Sequence, residues 1–193
     1  MTQLAERQQS DQRIVQTGIS WDGFKKIQEG FAGCPGVRLS YYQGTVEVVT
    51  VGAEHEIYKS IIGMLIEIFL VEKGIEFTPT GSMDQEKEGA ASAQADESYC
   101  LGSYKPVPDL SVEVVFSSGG PSKLARYRVI GVPEVWFWED GVFTVYCLRD
   151  SDYERVTRSE LLPEMDFDLL SRSVLMSSRV EAARTFRAAL GNA

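Results

Sequence analysis

Residues 107–150, VPDLSVEVVFSSGGPSKLARYRVIGVPEVWFWEDGVFTVYCLRD, decide the fold class. Val107 to Phe116 alternates in the period-two manner of a strand. Pro121 suits a first helical position, and Gly131 suits a stop, so PSKLARYRVIG predicts a short helix. VPEVWFWEDGVFTVYCLRD then reads as a hairpin, with Asp140-Gly141 supplying the positive-φ turn between aromatic and β-branched runs. A strand, a short helix and a hairpin in this order argue for an α+β or mixed α/β chain in which helices cover a sheet.

Working outward, Asp96 to Leu101 predicts a strand that returns through GSYK to Val107–Phe116. The helix EHEIYKSIIGMLIEIFLVEKG carries Ile57, Ile61, Met64, Leu65, Ile68 and Phe69 at helical spacing and ends at Gly74. IEFTPT follows as a strand, and SMDQEKEGAASAQ reads as a loop or weak strand. Nearer the start, Ser20 is an N-cap for SWDGFKKIQEG, and VRLSYYQGTVEVVT is a hairpin turning at Gln43-Gly44. Residues 1–18 are expected to be a flexible arm, and 19–193 one domain. Past the aromatic hairpin, YERVT adds a strand. The tail from Asp168 is helical, with Leu169, Leu170, Val174 and Leu175 as core contacts.

The chain has 193 residues, 44% hydrophobic and 24% charged, with a net charge of −9. This is globular composition, not that of a disordered chain, a collagen or a coiled coil. The acidity excludes a broad attraction for nucleic acid or an anionic membrane, so any polyanion must meet a local basic surface or a bound cation. Cys34, Cys100 and Cys147 lie far apart and suggest reduced, buried thiols. No secretory h-region and no membrane span are visible, so a cytoplasmic protein is expected.

Nucleotide-binding glycine loops, GxSxG and HExxH are absent, and one histidine cannot build a multi-histidine metal site. What remains is a set of carboxylates with a lysine. Leu110, Val112, Val114 and Phe116 share one strand face, and Asp109, Ser111, Glu113 and Val115 share the other. Asp109 and Glu113 are roughly 13 Å apart at Cα, too far to hold one ion together. Asp96, expected opposite Val112 or Glu113, is the better partner. Asp96 and Glu113 could share one Mg²⁺ or Mn²⁺ with waters and a phosphate oxygen. Lys123 could reach the same spot from the next helix. Alternative readings are plain: strand-end carboxylates facing water or paired with Lys105 or Arg126, a solvated lysine, and Asp109 as a second ligand, an outer acceptor or a cap. His55 suits capping or packing, and Glu54 and Glu56 suit the helix dipole. Trp136 and Trp138 read as core or a dimer interface, and Arg126, Arg128 and Lys123 as a small basic cluster. The C-terminal Arg172, Arg179, Arg184 and Arg187 read as a possible DNA contact or a soluble face.

The run QADESYCLG followed by residues 107–141 closely resembles the Uma-type family of restriction endonucleases, a divergent branch of the PD-(D/E)XK nuclease superfamily. The resemblance spans about Trp21 to Leu170 and rests on a PDL-VEV strand, a Lys-bearing helix ending in GV, and an EVW strand. It implies a restriction-endonuclease-like central mixed sheet flanked by helices, with an N-terminal helix-hairpin and C-terminal helices. It also implies metal-dependent cleavage of DNA phosphodiester bonds, and a homodimer. Asp96 takes the PD aspartate's role, though Gln94-Ala95 replaces the usual proline context, and Glu113 takes the (D/E)XK acid. Val115 stands where lysine is usual, and Lys123 substitutes for it. Glu56 or Glu54 is the assisting helix glutamate. A catalytically silent dimeric binding module is the alternative, and a toxin-neutralising partner protein a weaker one.

Overall fold

The structure, a computed structural model, describes residues 11–116 and 121–191. In chain order the elements are β1 (Gln12–Gln16), α1 (Trp21–Gly30), β2 (Val37–Tyr42), β3 (Thr45–Thr50) and α2 (Ala53–Glu72). There follow β4 (Phe77–Pro79), β5 (Asp84–Lys87), β6 (Ala91–Gln94), β7 (Glu97–Leu101) and β8 (Leu110–Val115). A 3₁₀ turn at Pro121–Lys123 leads into α3 (Leu124–Ile130), β9 (Glu134–Glu139), β10 (Val142–Leu148) and β11 (Tyr153–Val156). The helices α4 (Phe167–Val174) and α5 (Arg179–Leu190) close the series.

The strands form two open sheets, so the class is α+β, consistent with a restriction-endonuclease-like arrangement. The six-stranded sheet runs β11-β10-β9-β8-β7-β4 and is mixed, because β8 and β9 are parallel and the other pairs antiparallel. The helix α3 is the crossover between the parallel strands, as parallel pairing requires. The five-stranded sheet runs β1-β3-β2-β6-β5 and is antiparallel throughout.

The alternation in β8 and β9 places two cores back to back. Leu110, Val112, Val114, Trp136 and Trp138 face Ile62, Leu65, Ile66 and Phe69 of α2, together with Leu170 and Phe186 from the C-terminal helices. Val115, Val135 and Phe137 face the other way, against Leu124, Tyr127 and Ile130 of α3 and the alanines 91, 93 and 95. Each fully buried large apolar side chain contributes about 1.5–3 kcal/mol. The tryptophans are therefore core residues.

Turn chemistry follows the sequence closely. Gln43-Gly44 and Asp140-Gly141 both have two consecutive positive φ values, 47° and 76° and then 50° and 82°, as two-residue hairpin turns demand. The Ser20 side chain accepts from Gly23 N–H at 3.2 Å, and Gly131 closes α3 at φ 92°.

The structure departs from the sequence reading at several points. Gln12–Gln16, assigned to the arm, is a strand paired with β3; residues 1–10 lie outside the described residues. The stretch 82–94, read as a loop or weak strand, supplies β5 and β6. Its buried residues are alanines, a serine and Gln85, so no β-branched pattern betrays it. Ile57 is exposed because His55, roughly 200° away around the helix, takes the inward position. Leu175 is exposed and lies over Gly141 at the hairpin tip instead of in the core. The helical tail is broken between Val174 and Arg179 into α4 and α5, and α5 is capped by Ser178. Cys100 and Cys147 are buried free thiols, whereas Cys34 is exposed. No helix among the described residues is long and apolar enough to cross a membrane.

Candidate active site

Glu113 is the only acid in a strand whose six residues are all buried. It is tolerated there because both carboxylate oxygens are bonded. Tyr127 donates its hydroxyl to Oε1 at 2.5 Å, and Lys123 donates its ammonium to Oε2 at 2.6 Å. Lys123 ends the 3₁₀ turn and Tyr127 follows one helical turn later, so both project toward the same carboxylate. Burial, and then the Glu113 charge, holds the Tyr127 phenol well above its ordinary value, which keeps it a proton donor.

Across the sheet, β7 pairs with β8 so that Glu97 faces Val112, and the next step of that register brings Asp96 alongside Glu113. Asp96 lies where β7 begins. Its own N–H donates to the Val112 carbonyl at 3.1 Å, and its Oδ2 accepts the Val114 N–H at 2.8 Å. Its Oδ1 lies 2.8 Å from His55 Nε2, an ion-pair distance without hydrogen-bond alignment. Burial alone would raise the Asp96 carboxyl. His55, then Lys123 and the Val114 N–H, outweigh it and hold the acid below the usual carboxylate range.

His55 sits in the first turn of α2 and is gripped from the other side by Asp11, whose Oδ2 lies 2.9 Å from Nδ1. Asp11 Oδ1 also accepts from Gly52 N–H at 2.8 Å, so this acid caps α2 from outside it. Burial lowers the imidazole's pKa, but the two flanking carboxylates raise it further, to about 8. His55 is therefore a cation between two acids at neutral pH.

A third acid, Glu47 of β3, completes the charge pattern. It takes Arg126 Nη1 at 2.9 Å and the Arg13 guanidinium, and these cations hold its carboxyl below the usual range against the opposing effect of burial. Asp96, Glu113, Lys123, His55, Glu47 and Arg126 all line one cavity of about 40 Å³, which Arg38 also borders. That space exceeds the roughly 10–15 Å³ a single water needs. Two guanidinium donors on its wall, Arg38 Nε and Arg126 Nε, are buried without a hydrogen-bond partner.

The structure thus brings Asp96, Glu113 and Lys123 together. It does not bring Asp109 there. That carboxylate is taken by Leu101 N–H at 2.7 Å and by Lys105, near the opposite end of β8. Glu56 is half exposed and pairs with Arg38 and Lys59 outside the cavity. Val115 packs against Leu124 and Tyr127, so Lys123 is the amine that reaches the Glu113 carboxylate. Glu47, Tyr127 and Asp11 do not figure in the sequence reading, and His55 figures there only as a capping or packing residue. The one available signal was that His55 is the chain's single histidine. Phe116 lies against His55 at 5.8 Å between ring centres and reaches Trp138 at 6.0 Å, while Tyr58 stacks on Trp138 at 4.5 Å.

The donor set suits a hard, hydrated cation. Mg²⁺ keeps several waters and takes only one or two protein carboxylates, and Asp96 and Glu113 are the residues that could hold it. No group of three or more His, Cys, Asp or Glu among the described residues is placed to hold a metal, so a complete protein cage is not what these residues offer.

A family model described as "putative restriction endonuclease", the Uma-type family, matches residues 21–174. A search of curated proteins finds no match. Among solved structures, one described as a putative nuclease belonging to DUF820 from Anabaena variabilis ATCC 29413 is 13% identical. It superposes with a TM-score of 0.46, covering 87% of this chain and 99% of that one.

Proposed function

The chain belongs to the Uma-type family of restriction-endonuclease-like proteins, and on that premise we propose that it is a Mg²⁺- or Mn²⁺-dependent endonuclease hydrolysing DNA phosphodiester bonds. The observation that carries this reading is the meeting of Asp96, Glu113 and Lys123 in one cavity. Asp96 and Glu113 would hold the ion. When bound, it would polarise a phosphoryl oxygen and lower the pKa of a water.

The chain's own groups have separate tasks. The Tyr127 hydroxyl fixes the rotation of the Glu113 carboxylate. His55, clamped by Asp11, keeps Asp96 ionised and oriented. Lys123 turns from Glu113 toward the phosphoryl group and stabilises the charge that develops there. A buried position makes each of these charges count for more than it would in solvent.

The test is nicking of supercoiled plasmid by purified protein with Mg²⁺ or Mn²⁺, alongside Asp96→Asn, Glu113→Gln and Lys123→Ala. Nicking by the wild type that all three variants lose supports the reading. Equal nicking by all four proteins, or none by the wild type across both metals, overturns it. The second outcome would favour the silent binding module, for which the engagement of every cavity acid by an organic cation speaks.

A further inference from the structure

Beside the cavity lies a larger groove of about 250 Å³, and the two share Glu47, Lys123 and Arg126. One wall comes from β1 through Arg13 and Val15, and another from the β2–β3 turn through Tyr42, Gln43 and Thr45. Ser122, Lys123 and Arg126 close the third side. The strand β1 precedes residue 21, where the family match starts, so this wall is an addition to the matched region.

The charge arrangement is what distinguishes the groove. On a molecule of net charge −9, Arg13, Lys123 and Arg126 line it with Glu47 as its one lining acid, while Lys123 is paired with Glu113 of the adjoining cavity. Glu47 holds both guanidinia by one carboxylate and Arg126 also donates to Ser40 Oγ, yet most of their ten N–H donors have no partner among the described residues. The buried Nε of Arg126 has no hydrogen-bond partner, and neither does that of Arg38 next to it in the cavity. Paired, partly desolvated guanidinia with spare donors are matched by the oxygens of a phosphate.

We propose that this groove seats the phosphate next to the one being cleaved, held by Arg13 and Arg126, so that β1 is a substrate-binding element. The assignment rests on the nuclease reading above and extends it to a second phosphate. Glu47 acts as a resident stand-in for that phosphate: it keeps the two guanidinia aligned in the free protein and yields part of their bonding when the backbone arrives. The acid also makes binding weaker than the three cations alone would give, which suits a protein that must release product.

The probe is a short fluorescein-labelled DNA duplex, with anisotropy read in EDTA over a range of NaCl. Arg13→Ala is expected to weaken binding about tenfold and to lower the slope of log affinity against log salt by about one. Glu47→Gln is expected to tighten binding several-fold even as its thermal midpoint falls, a change of sign that a merely structural role would not give. Arg155→Ala, exposed on β11 at the edge of the six-stranded sheet, is the control and is expected to change nothing. If wild-type protein nicks plasmid but neither Arg13→Ala nor Glu47→Gln alters binding, the groove assignment fails and the nuclease reading stands. If both variants weaken binding in proportion to lost stability, the groove assignment fails as well. If the wild type neither binds nor nicks DNA, both fail together.

Discussion

Two buried glutamates on neighbouring parallel strands, Glu113 of β8 and Glu134 of β9, show how differently one side chain can be used. Glu134 is 1% exposed and Glu113 is 3% exposed, so burial does not separate them. Their partners do. Glu134 accepts from Trp136 Nε1, Ser159 Oγ, Cys147 Sγ and the N–H groups of Glu160 and Leu161. All of these donors are neutral and fixed. Glu113 has two donors, one a lysine ammonium on a flexible stem, and it borders open space. A carboxylate saturated by neutral donors ties the chain following β11 to the sheet. A carboxylate held by a displaceable cation beside a void is equipped to exchange partners.

The sharpest way to break this comparison is to exchange the outcomes of the two residues. Glu134→Ala strands five donors in the interior and is expected to destabilise by about 3–5 kcal/mol, measured by urea unfolding. Glu113→Gln keeps the shape and is expected to change the unfolding free energy by no more than about 1.5 kcal/mol. Its cleavage rate is expected to fall at least about 100-fold in the plasmid assay. If Glu134→Ala is mild, or Glu113→Gln unfolds the chain, the division between a structural and a working carboxylate is wrong.

Titration sharpens the same contrast. The His55 pKa is raised from 6.5 to about 8 in the folded state. Its stabilisation is therefore fully present below pH 6.5 and is lost as pH rises through about 8. That corresponds to about 2 kcal/mol, visible as a fall in unfolding free energy between pH 6 and 9 that His55→Gln lacks. Glu97 gives a smaller effect. Burial pushes its carboxyl up to about 7, and its side chain lies against Gly63 of α2. A raised acid costs stability as pH climbs from about 4.5 through 7, so the cost is full above pH 7. Glu97→Gln is expected to stabilise by about 1–2 kcal/mol at pH 8 and by almost nothing at pH 4, once solvent screening is allowed for.

The parts of the fold governed by local rules were legible in the sequence. The Asp140-Gly141 turn, the Gly131 stop, the Ser20 cap and the opposed faces of β8 follow from backbone chemistry and the two-residue period of strands. The register that sets Asp96 beside Glu113 was legible for the same reason, since a hairpin's length limits its pairing. The strands β1, β5 and β6 were not legible. Gln12–Gln16 has all five residues exposed, and β6 is built of small residues, so tertiary pairing and not pattern creates them. The site was half legible. Asp96, Glu113 and Lys123 lie within twenty-eight residues of one another. Glu47 and His55 line the cavity, Asp11 grips His55 from behind and Arg13 lines the adjoining groove, and no spacing rule connects these residues to Asp96 and Glu113.

The row of rings from His55 through Phe116 to Trp138, with Tyr58 alongside, gives the molecule its own optical gauge. An indole's emission responds to the rings packed around it, and Phe116, which meets Trp138, also rests on the His55 imidazole. Anything that draws Asp96 away from His55 should therefore brighten or dim the tryptophan signal with no added dye, and the share lost in Trp138→Phe would measure how much of that signal comes from this end of the row.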